Sequence, residues 1–185
     1  RSKCIYRKKE RVTPNSMEKS TQGAYQLPAQ TRIGDVHLKV ADLDRALSFY
    51  EGLLGFEVIR RMGDQAAFIS AGGYHHHIGL NTWYSKGAPK AAKRQVGLFH
   101  TAILYPTRKD LAEILHRLMA YNYPLTGASD HGVSEALYLD DPDGNGVELY
   151  WDRPRKEWPK QADGSIDIFT RPLDIQGLLK EYSPL

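Results

Sequence analysis

A chain of 185 residues with 41% hydrophobic and 25% charged content suits one soluble domain able to bury a real core. The single Cys4 excludes a disulfide framework and cysteine-based zinc clusters, which fits a reducing, cytoplasmic setting, and no apolar run approaches the roughly 20 residues that span a bilayer. The net charge of +3 belongs to the first residues: six basic side chains against Glu10 give residues 1–16 a net +5, leaving the remainder at −2 with no footprint for nucleic acid.

In chain order, residues 1–30 read as a basic, disordered extension without the apolar core of a secretory signal. Met17 offers a natural start, which would make residues 1–16 an upstream addition. "GDVHLKV" (34–40) then reads as a strand carrying His37. Asp42 is a plausible N-cap for the helix that follows, Leu43, Ala46, Leu47, Tyr50 and Leu54 make one apolar stripe, and Gly55 suits its end. Three strand-like runs follow: "FEVIRR", "AAFIS" and "HHHIGLNTW". The pattern then repeats. "GLFHTAI" (97–103) carries His100, 63 residues after His37, and leads into a helix with Leu111, Ile114, Leu115 and Leu118 on one face. Its strands are a weak one near "YPLT", then "SEALYL" and "GVELYW".

The expected fold is therefore α+β: two βαβββ modules, about 31–84 and 95–152, forming curved mixed sheets around a shared metal cleft, within a domain spanning 31–152. Residues 153–185 read as an ordered tail or lid with no chemistry of its own. His116 falls off its helix stripe and reads as solvated, and "DPDGNG" reads as a turn, since it lacks the spaced ligands of a calcium loop. Trp83, Trp151 and Trp158 read as pocket lining for a planar substrate or as packing.

A lone strand histidine is most often a core or surface residue. Two at matched positions of an internal repeat are harder to dismiss, because the repeat gives them corresponding surroundings. If the modules pack as pseudo-symmetric halves, His37 and His100 face one ion and Glu148, on the closing strand, completes a carboxylate corner. Two imidazoles and one carboxylate leave the other positions open, a set suited to Fe(II), with Mn(II) or Zn(II) also accepted.

The span from about residue 33 to 152 resembles the vicinal oxygen chelate superfamily, and within it the extradiol, catechol 2,3-dioxygenase-like branch. The residues that carry this are His37 and His100 on the first strands, then His131, Tyr138, the turn Asp141-Pro142-Asp143-Gly144 and Glu148. The resemblance implies metal binding by His37, His100 and Glu148, with His131 and Tyr138 donating to bound oxygens. It also implies an acid–base histidine on the last strand of the first module, for which His77 in "YHHHIGLN" is the best match. By strand alternation His75 would share its face and His76 would point away. The glyoxalase-like branch uses a carboxylate there; the candidates His77, Gly79 and Leu80 supply none. The implied partners are a small aromatic diol and O2, with no nucleic acid or membrane, and a homodimer is an open option. The competing readings are another enzyme of the superfamily, such as an isomerase or lyase, and a non-enzymatic binder of a planar ligand.

Overall fold

The computed structural model of the chain describes residues 25–182 and falls into two units, Arg1–Ile33 and Gly34–Leu185. Most of the expected extension over residues 1–30 lies outside the described residues. Residues 25–33 carry one turn, in which the Thr31 N–H donates to the Pro28 carbonyl at 2.9 Å.

The second unit contains the expected repeat. Strand β1 (Val36–Lys39) leads to helix α1 (Leu43–Leu47), whose first turn is capped by the Asp42 carboxylate accepting from the Arg45 N–H at 2.8 Å. The helix then widens into a π-helical turn over Ser48–Leu53 and stops before Gly55, whose φ of 86° suits a residue without a Cβ. Strands β2 (Glu57–Met62), β3 (Ala66–Ser70) and β4 (Ile78–Asn81) complete a sheet of order β1-β4-β3-β2 in which β1 runs parallel to β4.

The second copy runs β5 (Thr101–Leu104), α2 (Arg108–Ala120), β6 (Gly127–Asp130), β7 (Ser134–Asp140) and β8 (Gly146–Asp152). A capping box between Thr107 and Asp110 starts α2, and the expected stripe of Leu111, Ile114, Leu115 and Leu118 is buried. The middle strand starts one residue beyond "YPLT", because Pro124 has no N–H to give a ladder. Again the first strand is parallel to the last, β5 to β8. The two sheets are mixed, as expected.

One hydrophobic cluster joins both modules, drawing Leu43, Phe49 and Leu80 from the first and Leu111, Leu137 and Leu149 from the second. Polar contacts lock the join. Tyr50 donates to Asp141 Oδ2 at 2.9 Å in a buried setting, and Asp141 also accepts from the N–H groups of Asp143 and Asn145 and the side-chain amide of Asn145. Arg117 donates to the carbonyls of Leu53 and Gly52 at 2.7 and 2.8 Å. The "DPDGNG" turn is thus a structural turn, as expected, and its first aspartate is an organising acceptor.

The C-terminal segment is built into the second module. Strand β9 (Arg171–Pro172) adds to β6, giving the order β5-β8-β7-β6-β9, and helix α3 (Ile175–Leu179) buries Leu178 completely. Burying one leucine stabilises by about 2 kcal/mol. His116 corrects the solvated reading: its Nε2 donates to the Leu179 carbonyl at 3.1 Å and its ring lies 4.8 Å from that of Tyr182, so it docks α3. An apolar-stripe analysis of one helix cannot see a partner segment 60 residues away. Trp151 packs against the core and the Trp158 indole donates to the Arg153 carbonyl, whereas Trp83 is largely exposed.

Candidate metal centre

Strands β1 and β5 each lie at one edge of their sheet, and a histidine on or next to each sits beside a glycine of its parallel partner. His37 on β1 is in register with Gly79 on β4, and a Cβ at Gly79 would lie 2.6 Å from the His37 ring. His100, immediately before β5, lies beside Gly146, where a Cβ would come within 3.1 Å of the His100 Cβ. Gly79 lets the His37 imidazole lie across its strand, whereas Gly146 gives room to the backbone at Phe99 and His100.

In the second module four expected residues form one hydrogen-bonded line. His100 Nε2 lies 2.9 Å from Glu148 Oε2, and Glu148 is the register partner of Tyr138 on β7. The Tyr138 hydroxyl donates to Glu148 Oε1 at 3.1 Å and lies 2.7 Å from His131 Nε2. His131 Nδ1 donates to the Phe169 carbonyl at 2.8 Å, with Thr170 Oγ1 at 3.3 Å. A carbonyl can only accept, so Nδ1 carries a hydrogen, and the single Tyr138 hydroxyl proton serves either Glu148 Oε1 or His131 Nε2 at one time. Burial, then the charge of Glu148 and its hydrogen bond, push the Tyr138 hydroxyl up to about 12. It therefore stays a neutral donor. The tail, expected to carry no chemistry of its own, supplies the Phe169 carbonyl that orients His131; backbone acceptors leave no mark in sequence.

The first module behaves differently. His37 Nε2 lies 3.4 Å from Asp35 Oδ2, and His76 Nε2 lies 3.6 Å from the same oxygen. Among the described residues, Asp35, His37 and His76 are the one group whose ligand atoms all fall within 4.8 Å of one another; His37, His100 and Glu148 do not form such a group. His77 is exposed, and its Nδ1 accepts from the Ala71 N–H at 3.3 Å and lies 3.2 Å from Ser70 Oγ. Strand alternation fails for this run, because β4 begins at Ile78 and the chain before it turns through Gly72 and Gly73, both with positive φ. His76 is thereby half-buried beside His37, not turned away from the site. Asp35, two residues before His37, lies on the same face of the extended chain, and that spacing is the signal in sequence that pairs the two.

His100 and Glu148 offer an imidazole and a carboxylate at a separation that serves a hydrogen bond and also suits two ligands of one metal. Two ligands on adjacent corners of an octahedron with bonds of about 2.1 Å lie about 3.0 Å apart, and the His100–Glu148 separation is 2.9 Å.

Two βαβββ modules, each closing its first strand in parallel onto its last and setting a histidine at one edge, define a paired-module chelate fold. The chain belongs to the Glyoxalase/Bleomycin resistance protein/Dioxygenase superfamily, which matches residues 32–149. It is 41% identical over 152 residues to a catechol-2,3-dioxygenase of Bacillus subtilis (strain 168), covering 82% of this chain and 52% of that protein. It is 31% identical over 121 residues to biphenyl-2,3-diol 1,2-dioxygenase 3 of Rhodococcus globerulus, covering 65% and 63%. The chain thus spans about half to under two thirds of the length of these relatives. Its fold is similar to that of a lactoylglutathione lyase from Agrobacterium tumefaciens (TM-score 0.52, 22% identity, 68% of this chain and 96% of that one). A glyoxalase/dioxygenase from Nostoc punctiforme is also similar (TM-score 0.55, 15% identity, 71% and 98%). No described helix is long and apolar enough to cross a membrane.

Proposed function

We propose that this domain is a metal-dependent extradiol dioxygenase that opens a catechol-type ring with O2. The observation that carries the reading is the line His100–Glu148–Tyr138–His131, in which a carboxylate beside an imidazole is tied to two proton-bearing side chains. The likeness to diol dioxygenases supports the same substrate class.

In this reading His37, His100 and Glu148 hold the metal, Fe(II) in preference to Mn(II) or Zn(II), since two imidazoles and a carboxylate leave open positions. A bound metal would gather the two vicinal oxygens of the diol and O2 and pass electron density between them. The protein moves the protons. Tyr138 donates a hydrogen bond to substrate-side oxygen and is recharged from His131, whose orientation Phe169 holds. His77 is the acid–base group: the Ala71 N–H donates to Nδ1, which places the neutral ring's hydrogen on Nε2 and makes Nε2 the nitrogen that meets substrate. A glyoxalase-like isomerase is disfavoured, because the β4 residue opposite His37 is Gly79 and offers no carboxylate.

The test is metal analysis of protein purified without chelators, followed by ultraviolet-visible scanning with catechol under air. About one iron per chain and a yellow ring-fission product are expected. Metal-free protein that binds an aromatic ligand without consuming O2 would overturn the reading in favour of a binder.

A further inference from the structure

We propose that Asp35, His37 and His76 form a second cation site, taking a late first-row divalent ion such as Zn2+, and that it competes for His37 with the ligand set proposed above. The site stands on the first module alone; only the competition rests on the dioxygenase reading.

The distances from Asp35 suit an ion shared by two imidazoles. Asp35 Oδ2 lies 3.4 Å from His37 Nε2 and 3.6 Å from His76 Nε2. Both exceed the roughly 2.7–3.2 Å of an N–H···O hydrogen bond. Both match the edge of a tetrahedron, about 3.4 Å for bonds of about 2.1 Å to nitrogen and oxygen. As surface ion pairs these contacts would contribute little, since the side chains of Asp35 and His37 are 37% and 39% exposed.

The surroundings hold the ligands in place. His75 Nδ1 lies 2.8 Å from His76 Nδ1, which engages that nitrogen and leaves Nε2 for the ion, the outer-shell role that fixes a ligating imidazole. Phe68 packs edge-on against both rings, 5.8 Å from His37 and 5.1 Å from His76, and Gly79 leaves the space that the His37 ring fills. The exposed side of the trio leaves a fourth position to water. Imidazole and carboxylate donors bind Zn2+, Ni2+ and Cu2+ more tightly than Fe2+. One Nε2 lone pair serves one ion, so occupancy here withdraws His37 from the other set and inhibits.

The experiment titrates this 185-residue chain, treated with chelator, with Zn2+ by calorimetry and with Co2+ by visible absorption. His100→Ala/Glu148→Ala, which removes two ligands of the other set, should still bind about one Zn2+ and give the intense spectrum of tetrahedral Co2+. Adding His76→Ala or Asp35→Asn should weaken Zn2+ by more than the roughly 10- to 100-fold typical of losing an outer-shell partner. If the double variant does not fold, wild type and His76→Ala decide: wild type takes up tetrahedral Co2+ and His76→Ala does not. Excess Zn2+ should inhibit the iron-loaded wild type and spare His76→Ala. The site is overturned if Zn2+ affinity is unchanged in both His76→Ala and Asp35→Asn, or if folded His100→Ala/Glu148→Ala binds none. Zinc bound as expected with no inhibition overturns the sharing of His37. Iron-loaded wild type that never cleaves catechol would sink the dioxygenase reading and leave the zinc result standing.

Discussion

The ring of His37 lies across Gly79, its register partner on β4, so closely that a Cβ there would sit 2.6 Å from a ring atom. Gly79→Ala must push the ring aside, although alanine is otherwise acceptable in a strand. The variant should fold with a near-normal melting temperature and hold metal about 10- to 100-fold more weakly. Unchanged metal content by elemental analysis would remove His37 from every site proposed for it.

Tyr138 couples Glu148 to His131. Tyr138→Phe keeps the packing and deletes the proton, so kcat should fall about 100- to 10,000-fold with metal retained. Parallel loss of iron would instead make Tyr138 a positioning residue for Glu148.

His77→Phe should also leave metal bound and lower kcat far more than substrate affinity, by roughly 3 to 5 kcal/mol of barrier. His75→Phe should be milder. Equal small effects from both would make the histidine run a structural patch.

Tyr50→Phe removes a buried hydrogen bond to the Asp141 carboxylate that joins the modules. A hydrogen bond to a charged group contributes about 1.5–3 kcal/mol, and the loss should appear as a lower urea midpoint with an unchanged slope. Asp141→Ala should cost more, because Asn145 and the turn amides lose their acceptor too.

Burial pushes the hydroxyls of Tyr105 and Tyr123 from 10.0 up to about 12, with nearby aspartates adding to the shift. A raised folded value favours the neutral form, so this stability is fully present below pH 10 and is lost as pH rises toward 12. Alkaline unfolding followed by tyrosinate absorbance should fall in that window, and Tyr105→Phe should move the midpoint upward. A midpoint unaffected by Tyr105→Phe would contradict the shift.

Much of the fold was legible because its signals are local. The helix stripe at Leu111, Ile114, Leu115 and Leu118, the Asp42 cap and the 63-residue repeat each depend on residues a few positions apart or on self-similarity. Only the tertiary structure decided which groups meet. His76 reaches His37 because Gly72 and Gly73 turn the chain before β4, which breaks the alternation that a strand would impose. His116 is docked and His131 oriented by a tail whose carbonyls, at Leu179 and Phe169, look alike in any sequence. Backbone acceptors and turn dihedrals carry no side-chain signature, so their partners emerge only when the chain is folded.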